Sequence, residues 1–275
     1  MNVLFIGATG RVGSQVVPFL QPQFELTLAA YSAGEVGGLP VVAADICNWE
    51  ETATLLAAGT TDGAPFDAVV YCATADYRDV HKGDAEARRQ YFERCIEVNA
   101  RGAYHVFEAA HRAGVQRVVH VGSLTAMLGA PRYEYIGTDA LDRPSDLYAS
   151  TKIFGENVGR SYVFRPRHLG PDPDLLETPM RVICLRLGHP FESEAQWWAS
   201  RFSESKVAVA TEDIARAMTR ALLTEVRYGV YPVVSQVDET YIDPALYAEL
   251  GYEPTWLLSA AAGRWIRRDA AHAAS

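Results

Sequence analysis

Tyr148 and Lys152 stand four residues apart in "DLYASTKIFGEN", residues 146–157. On a helix that spacing is about one turn, so phenol and ammonium share a face. An unperturbed tyrosine titrates near ~10, and a nearby cation favours its phenolate. Such a tyrosine acts as a general base when a hydroxyl is oxidised, or as a general acid when a carbonyl is reduced. The same pair also occurs on helix faces that do no chemistry, so its meaning depends on what surrounds it. "GATGRVG" places Gly7, Gly10 and Gly13 behind an apolar run and at the start of a helix-like stretch. There Gly7 permits a tight turn, Gly10 lets the backbone approach a pyrophosphate, and Gly13 allows close helix–strand packing. The phosphates would sit at the positive end of the helix.

These groups need a scaffold, and the apolar pattern supplies one. Short apolar runs recur at Val3–Ile6, Leu26–Ala30, Val41–Ala43, Ala68–Tyr71, Arg117–Val121 and Arg181–Leu185. Each is the length of a buried strand. Helical periodicity fills the gaps between them. In Tyr91–Ala113, for example, Tyr91, Cys95, Gly102, Val106 and Ala110 fall near one face. Alternating strands and helices predict an α/β fold, a Rossmann-type doubly wound parallel sheet with a small C-terminal substrate lobe. Residues 1–165 would form the dinucleotide-binding core with the catalytic helix. Residues 166–275 would supply the remaining sheet elements and the lobe, within one compact unit. The pattern there predicts a helix in "TEDIARAMTRALL", a strand in "GVYPVV" and a closing helix, with "RWIRRDAAHAAS" as a helix end and tail. The long loops Leu124–Asp146 and Arg165–Pro179 follow strands, where open α/β sheets bind ligands.

Composition narrows the function. Across 275 residues the formal net charge is −9, which gives no electrostatic support to a nucleic-acid role. The apolar run after Met1 breaks at Gly7, too soon for a signal peptide or membrane span, so the expectation is a cytoplasmic protein with no membrane partner. Cys47, Cys72, Cys95 and Cys184 are widely spaced and read as buried thiols. His81, His105, His111, His120, His168 and His272 lack ligand spacing, so no metal is assigned.

Further motifs follow in order. Asp45 lies in "AADI", Cys72–Ala75 in "YCATA", Asn99 in "VNARGAYHVFEAA", Ser123 ends "VVHVGS", and Arg186–Pro190 reads "RLGHP". With the GxxGxxG turn and the YxxxK pair, the chain resembles the extended branch of the short-chain dehydrogenase/reductase superfamily from Asn2 to about Val234. This branch includes NAD-dependent epimerases and dehydratases. The resemblance implies a catalytic set of Ser123, Tyr148, Lys152 and Asn99. Ser123 would bind the substrate oxygen, and Asn99 would hold a water linking Lys152 to solvent. It also implies that Thr9, Arg11 and Val12 join the glycines around the cofactor. Asp45 and Ile46 would lie at the adenine, Cys72, Ala73 and Thr74 along the cofactor's backbone, and Leu187, Gly188 and Pro190 beside the nicotinamide. Asn99, Tyr148 and Lys152 would touch the cofactor as well. Ala75, Ser123, Leu124, Thr125, Tyr148 and His189 would face substrate.

The expected function is an NAD(P)-dependent oxidoreductase moving hydride to or from a small sugar-like or other hydroxyl or carbonyl compound. An epimerase or dehydratase with tightly held cofactor is the alternative, and a cofactor-sensing regulator is a third. The second strand ends at Ala30 and Tyr31 with no acid to bind a ribose 2′-hydroxyl. Arg11 and Ser32 can meet a 2′-phosphate there, so NADP is favoured over NAD, with Glu35 arguing the other way. "LYASTKIFGEN", "LRLG" and the short C-terminal lobe look like uronate dehydrogenases. Their polar pair after the catalytic serine is replaced here by Leu124 and Thr125. Trp197 and Trp198 suit either a lid or packing, and a homodimer is compatible with the family.

Overall fold

A computed structural model describes residues 1–60, 63–75, 84–129, 135–137, 140–164, 180–193, 207–237, 242–259 and 264–267. Eight strands form the main sheet: β1 (Asn2–Ile6), β2 (Glu25–Ala30), β3 (Gly34–Val36), β4 (Leu39–Ala43), β5 (Ala68–Tyr71), β6 (Arg117–Ser123), β7 (Arg181–Leu187) and β10 (Tyr228–Val233). Their order is β10-β7-β6-β5-β1-β2-β4-β3, and only the β3–β4 pair is antiparallel. Strand order reverses at β1, with β2 on one side and β5 on the other. That crevice is where doubly wound sheets bind ligands.

The alternation within β1 explains the layers. Val3 and Phe5 pack into one core with Val16, Val17 and Leu20 of α1 (Arg11–Leu20) and Ile214 and Met218 of α6 (Thr211–Leu223). Leu4 and Ile6 point the other way. They join Leu55 and Leu56 of α2 (Trp49–Ala58), and Val106 and Phe107 of α4 (Gly102–Arg112). Helix α5 (Leu147–Phe164) packs beside α4 on that face. The sheet is apolar on both faces because helices cover both.

Three features depart from the sequence pattern. Strand β3 was not foreseen, because three residues carry no periodicity. Its signal was Gly37–Gly38, both at positive φ (60° and 79°), between paired Val36 and Leu39. This is the two-residue hairpin that favours such glycines. The stretch read as one helix over Tyr91–Ala113 comprises α3 (Ala85–Cys95), a π-helical turn at Ile96–Arg101, and α4.

The expected closing helix is only the single turn α7 (Ala245–Ala248). After it, β12 (Trp256–Ser259) pairs with β11 (Gln236–Val237) and with β13 (Arg264–Arg267). "RWIR" is therefore a strand and not a helix end. Its Trp265 is buried with ring centroid 4.6 Å from Phe191 of β8 (His189–Phe191). Strand β8 pairs with β9 (Ala208–Ala210). The expectations for Arg165–Pro179, Trp197, Trp198 and the tail beyond Arg267 lie outside the described residues. All four cysteines are free. Among the described residues no helix is long and apolar enough to cross a membrane.

Candidate active site

The three glycines of the β1–α1 turn meet different constraints. Gly7 has φ +96°, and a Cβ there would lie 2.6 Å from the Ala73 amide nitrogen. Only a glycine lets this turn pass against the end of β5. A Cβ on Gly13 would come within 2.3 Å of the Gly7 carbonyl oxygen, so that position seats α1 on the turn. Gly10 is exposed at φ −68°, and its Cβ would meet only the Gly7 oxygen at 3.2 Å. It caps α1, whose first turn carries no acidic residue and no side-chain cap. The amides there are open to an anion.

The neighbouring candidates are arranged around this turn. Thr9 is exposed and Val12 packs on the core. Arg11 Nη2 donates to the Pro190 carbonyl at 2.8 Å. At the end of β2, Ala30 is buried while Tyr31 and Ser32 are exposed. Asp45 Oδ1 accepts from the Cys47 amide at 2.9 Å, and Ile46 is buried where a Cβ on Gly102 would lie 2.8 Å from its Cδ1.

The second cluster gathers at the ends of β5 and β6 and on α5. Ser123 is the last residue of β6, and its Oγ accepts from the Thr125 amide (3.3 Å), capping the 3₁₀ turn Leu124–Ala126. The Ser123 and Thr125 hydroxyls are 2.8 Å apart. Asp146 Oδ1 accepts from the Ala149 amide at 2.8 Å and so fixes the start of α5, two residues before Tyr148. Burial pushes the Tyr148 phenol up to about 12, against the opposing pull of Thr74 and Ser123. Lys152 is 2% exposed and donates to the Val121 carbonyl at 3.1 Å and the Ala73 carbonyl at 3.4 Å. Burial brings it down to about 8, against the opposing pull of Cys72, Cys95 and Glu156. The Lys152 ammonium is thus held by backbone carbonyls one turn from Tyr148, a buried cation near the phenol.

Asn99 is wholly buried in the π-helical turn. Its Oδ1 accepts from Thr74 Oγ1 (3.1 Å) and from the Ala75 amide (3.2 Å), and its Nδ2 donates to Thr151 Oγ1 (3.1 Å). Thr151 in turn donates to the Tyr148 carbonyl at 2.7 Å. The π-turn aims this amide, as such turns often do at functional sites. The Asn99 side chain thus braces the end of β5 against α5.

The remaining candidates divide between cleft and core. Leu124 is 1% exposed and packed in the core. Ala75 packs with Tyr91, Cys95 and Tyr148, and Cys72 and Leu187 are buried. A Cβ on Gly188 would lie 2.1 Å from the Val207 carbonyl oxygen, so this glycine brings β7 against the segment before β9. His189 and Pro190 are half-buried on β8. Sequence reasoning missed Thr151, Glu156, Arg186 and Asp142 as individual residues. Glu156 lies one turn beyond Lys152, and Arg186 opens "RLGHP"; both signals were present in motifs already singled out. Arg186 Nε and Nη2 donate to the two Glu156 carboxylate oxygens at 2.9 and 2.6 Å. Asp142 Oδ1 lies 2.7 Å from the same Nη2.

The sequence model of the NAD dependent epimerase/dehydratase family matches residues 3–191. A uronate dehydrogenase of Agrobacterium fabrum is 36% identical over 83 residues, 30% of this chain and 31% of that protein. An L-arabinose 1-dehydrogenase (NAD(P)(+)) of Haloferax volcanii is 29% identical over 176 residues, 60% of this chain and 62% of that protein. The chain therefore spans about a third of the length of the first and about three fifths of the second. The solved structure of uronate dehydrogenase from Agrobacterium tumefaciens has a TM-score of 0.69 at 22% identity, covering 93% of this chain and 85% of that one. At this identity the likeness is one of fold.

Proposed function

Because the chain belongs to the NAD dependent epimerase/dehydratase family, we propose that it is an NAD(P)-dependent dehydrogenase of a small sugar or sugar acid. One observation carries the reading: Tyr148 packs against Ala75 at the end of β5, one turn from buried Lys152, whose ammonium donates to the carbonyl of Ala73, the residue that Gly7 approaches. This supports reading Tyr148 as the acid–base group beside a turn that would take a pyrophosphate. The residues present suit a nicotinamide dinucleotide, since Gly10 leaves the uncapped first turn of α1 open. Gly7, Gly10 and Gly13 would hold the pyrophosphate, Asp45 and Ile46 would line the adenine side, and Leu187, Gly188 and Pro190 would lie by the nicotinamide. When bound, this cofactor supplies a hydride acceptor or donor.

The chain's own residues move the proton. Ser123 Oγ holds the substrate oxygen, and Tyr148 takes its proton in oxidation or returns it in reduction. A phenol near 12 is a weak base at neutral pH, so in oxidation its anion would have to be favoured by the positive charge that an oxidised nicotinamide brings to the site. Lys152 places a positive charge behind the site, and Asn99 with Thr151 fixes the register of α5 against β5.

For the cofactor, no carboxylate at Ala30 or Tyr31 repels a 2′-phosphate, which supports use of NADP at least as readily as NAD. Arg11 must exchange its Pro190 contact for that phosphate, which offsets much of any advantage over NAD. The uronate and arabinose relatives support a free sugar or sugar acid as substrate. The test is cofactor absorbance in bulk solution with NAD and NADP, offered galacturonate, glucuronate, L-arabinose and UDP-glucose. Net reduction with a free sugar or uronate is expected. Conversion of UDP-glucose with no net reduction would overturn the reading in favour of an epimerase.

A further inference from the structure

We propose that Asp142, Arg186 and Glu156 form a latch that holds the return arm of the substrate-side loop against the catalytic helix. Asp142 is then a positioning residue for Tyr148 and Ser123. The proposal rests on the dehydrogenase reading for its catalytic consequence, but not for the latch itself.

Arg186 occupies the position on β7 paired with Gly122, and its neighbour Leu187 is paired with Ser123. Its two bonds to Glu156 form a flat fork, which lysine cannot reproduce. Glu156 and Arg186 are 2% and 5% exposed. A Cβ on Gly122 would lie 2.9 Å from Glu156 Oε1, so the glycine before Ser123 makes room for this carboxylate. One acid already neutralises the buried guanidinium. The second, Asp142, comes from the loop between β6 and α5 and is half-exposed at the side chain. It is not needed to balance a buried charge, and it ties a separate segment to Arg186.

That segment is folded back on itself. The Arg143 amide donates to the Ala126 carbonyl (2.8 Å), Ser145 to Thr125 (3.1 Å) and Gly129 to Arg143 (2.7 Å). A Cβ on Gly129 would lie 2.6 Å from the Arg143 oxygen, so the two arms touch through backbone. One arm begins where Ser123 caps the 3₁₀ turn. The other runs from Asp142 to Asp146, the residue that caps α5 ahead of Tyr148. Arg186 therefore pins the outer end of an arm whose inner end sets the first turn of the catalytic helix. Lys152, Glu156, Arg186 and Asp142 also alternate in sign from the site to the surface.

Hydrogen exchange on the full-length protein tests the latch without any substrate. In Asp142→Asn the amides of Gly129, Arg143 and Ser145 should exchange roughly tenfold faster, while those of β1 are unchanged, as for a local opening. Asp142→Glu should restore protection, and Arg186→Lys should reproduce the Asn phenotype. With whichever sugar the wild type oxidises, Asp142→Asn should lower kcat roughly tenfold with KM and NAD affinity within about twofold, a loss confined to the transition state. Unchanged exchange at the three amides, or faster exchange across the whole chain, overturns the latch. Faster local exchange with normal kcat overturns the positioning role. If the wild type oxidises no sugar, the dehydrogenase reading fails, and the exchange experiment still decides the latch.

Discussion

The glycine turn offers a separation of folding from binding that follows from the contacts a Cβ would make at its three glycines. Gly7→Ala places an L side chain at φ +96°, in a region that costs roughly 1–2 kcal/mol. Its Cβ also meets Ala73 backbone at 2.6 Å, and overpacking of this kind adds about 1–3 kcal/mol. The sum is roughly 2–5 kcal/mol, which for a domain of this size lowers Tm by about 3–10 °C. Gly13→Ala gains ~1 kcal/mol of helix propensity but drives a Cβ into the Gly7 oxygen at 2.3 Å, so it too is destabilising. Gly10→Val meets only one atom at 3.2 Å, and its φ of −68° suits any residue. Its stability should fall by less than about 1 kcal/mol. The same branched side chain stands where a pyrophosphate must approach. Thermal unfolding with and without NAD reads both effects, because ligand at 100 times Kd stabilises by about 2.7 kcal/mol. Wild type should show that shift, Gly10→Val should unfold normally and show none, and Gly7→Ala should unfold early. A full NAD shift in Gly10→Val, or a Gly7→Ala protein as stable as wild type, refutes the reasoning.

Tyr148→Phe should keep NAD affinity and lose turnover by about a hundredfold or more, the loss expected of a general acid–base group; steady-state kinetics beside a binding titration checks it. Lys152→Met should abolish turnover yet stabilise the fold at pH 7 by up to about 3 kcal/mol, since burial lowers the lysine from 10.5 to about 8. The sign follows because the folded state holds the proton less tightly than the unfolded one. The wild-type penalty is complete below pH 8 and fades as pH rises toward 10.5, so the difference between the two proteins' denaturation midpoints should narrow over that range. Arg11→Ala should weaken NADP more than NAD, and comparative titration that finds both affected alike removes the arginine from cofactor choice.

The parallel strands and the glycine turn were legible in the sequence because a sheet covered on both faces writes continuous apolar runs. Ala68–Tyr71 and the helix at Thr211–Leu223 were read to the residue. What escaped was short or depended on tertiary contact. Strand β3 is three residues long, and "RWIR" is a strand through the packing of Trp265 on Phe191. Within the site, residue types and order pointed to Ser123, Tyr148, Lys152 and Asn99, and the fold brings all four to the ends of β5 and β6 and the start of α5. Their hydrogen-bond partners were not legible. The Lys152 ammonium turns to the Val121 and Ala73 carbonyls, and Asn99 spans Thr74 and Thr151, because burial leaves those backbone and side-chain groups as the nearest partners. Leu124, expected at the substrate, follows Ser123 into a 3₁₀ turn that points its side chain to the core.

The central claim, net oxidation of a sugar by the Ser123–Tyr148–Lys152 site, is tested most directly with sugars deuterated at C1. L-arabinose and galacturonate so labelled would be incubated with the protein and NAD or NADP, and the cofactor and sugar analysed by mass spectrometry. The prediction is deuterium in the reduced cofactor and a lactone or acid product with wild type, and both formed about a hundredfold or more slower with Tyr148→Phe. Deuterium retained on an epimerised sugar, or transfer undiminished in Tyr148→Phe, would contradict it.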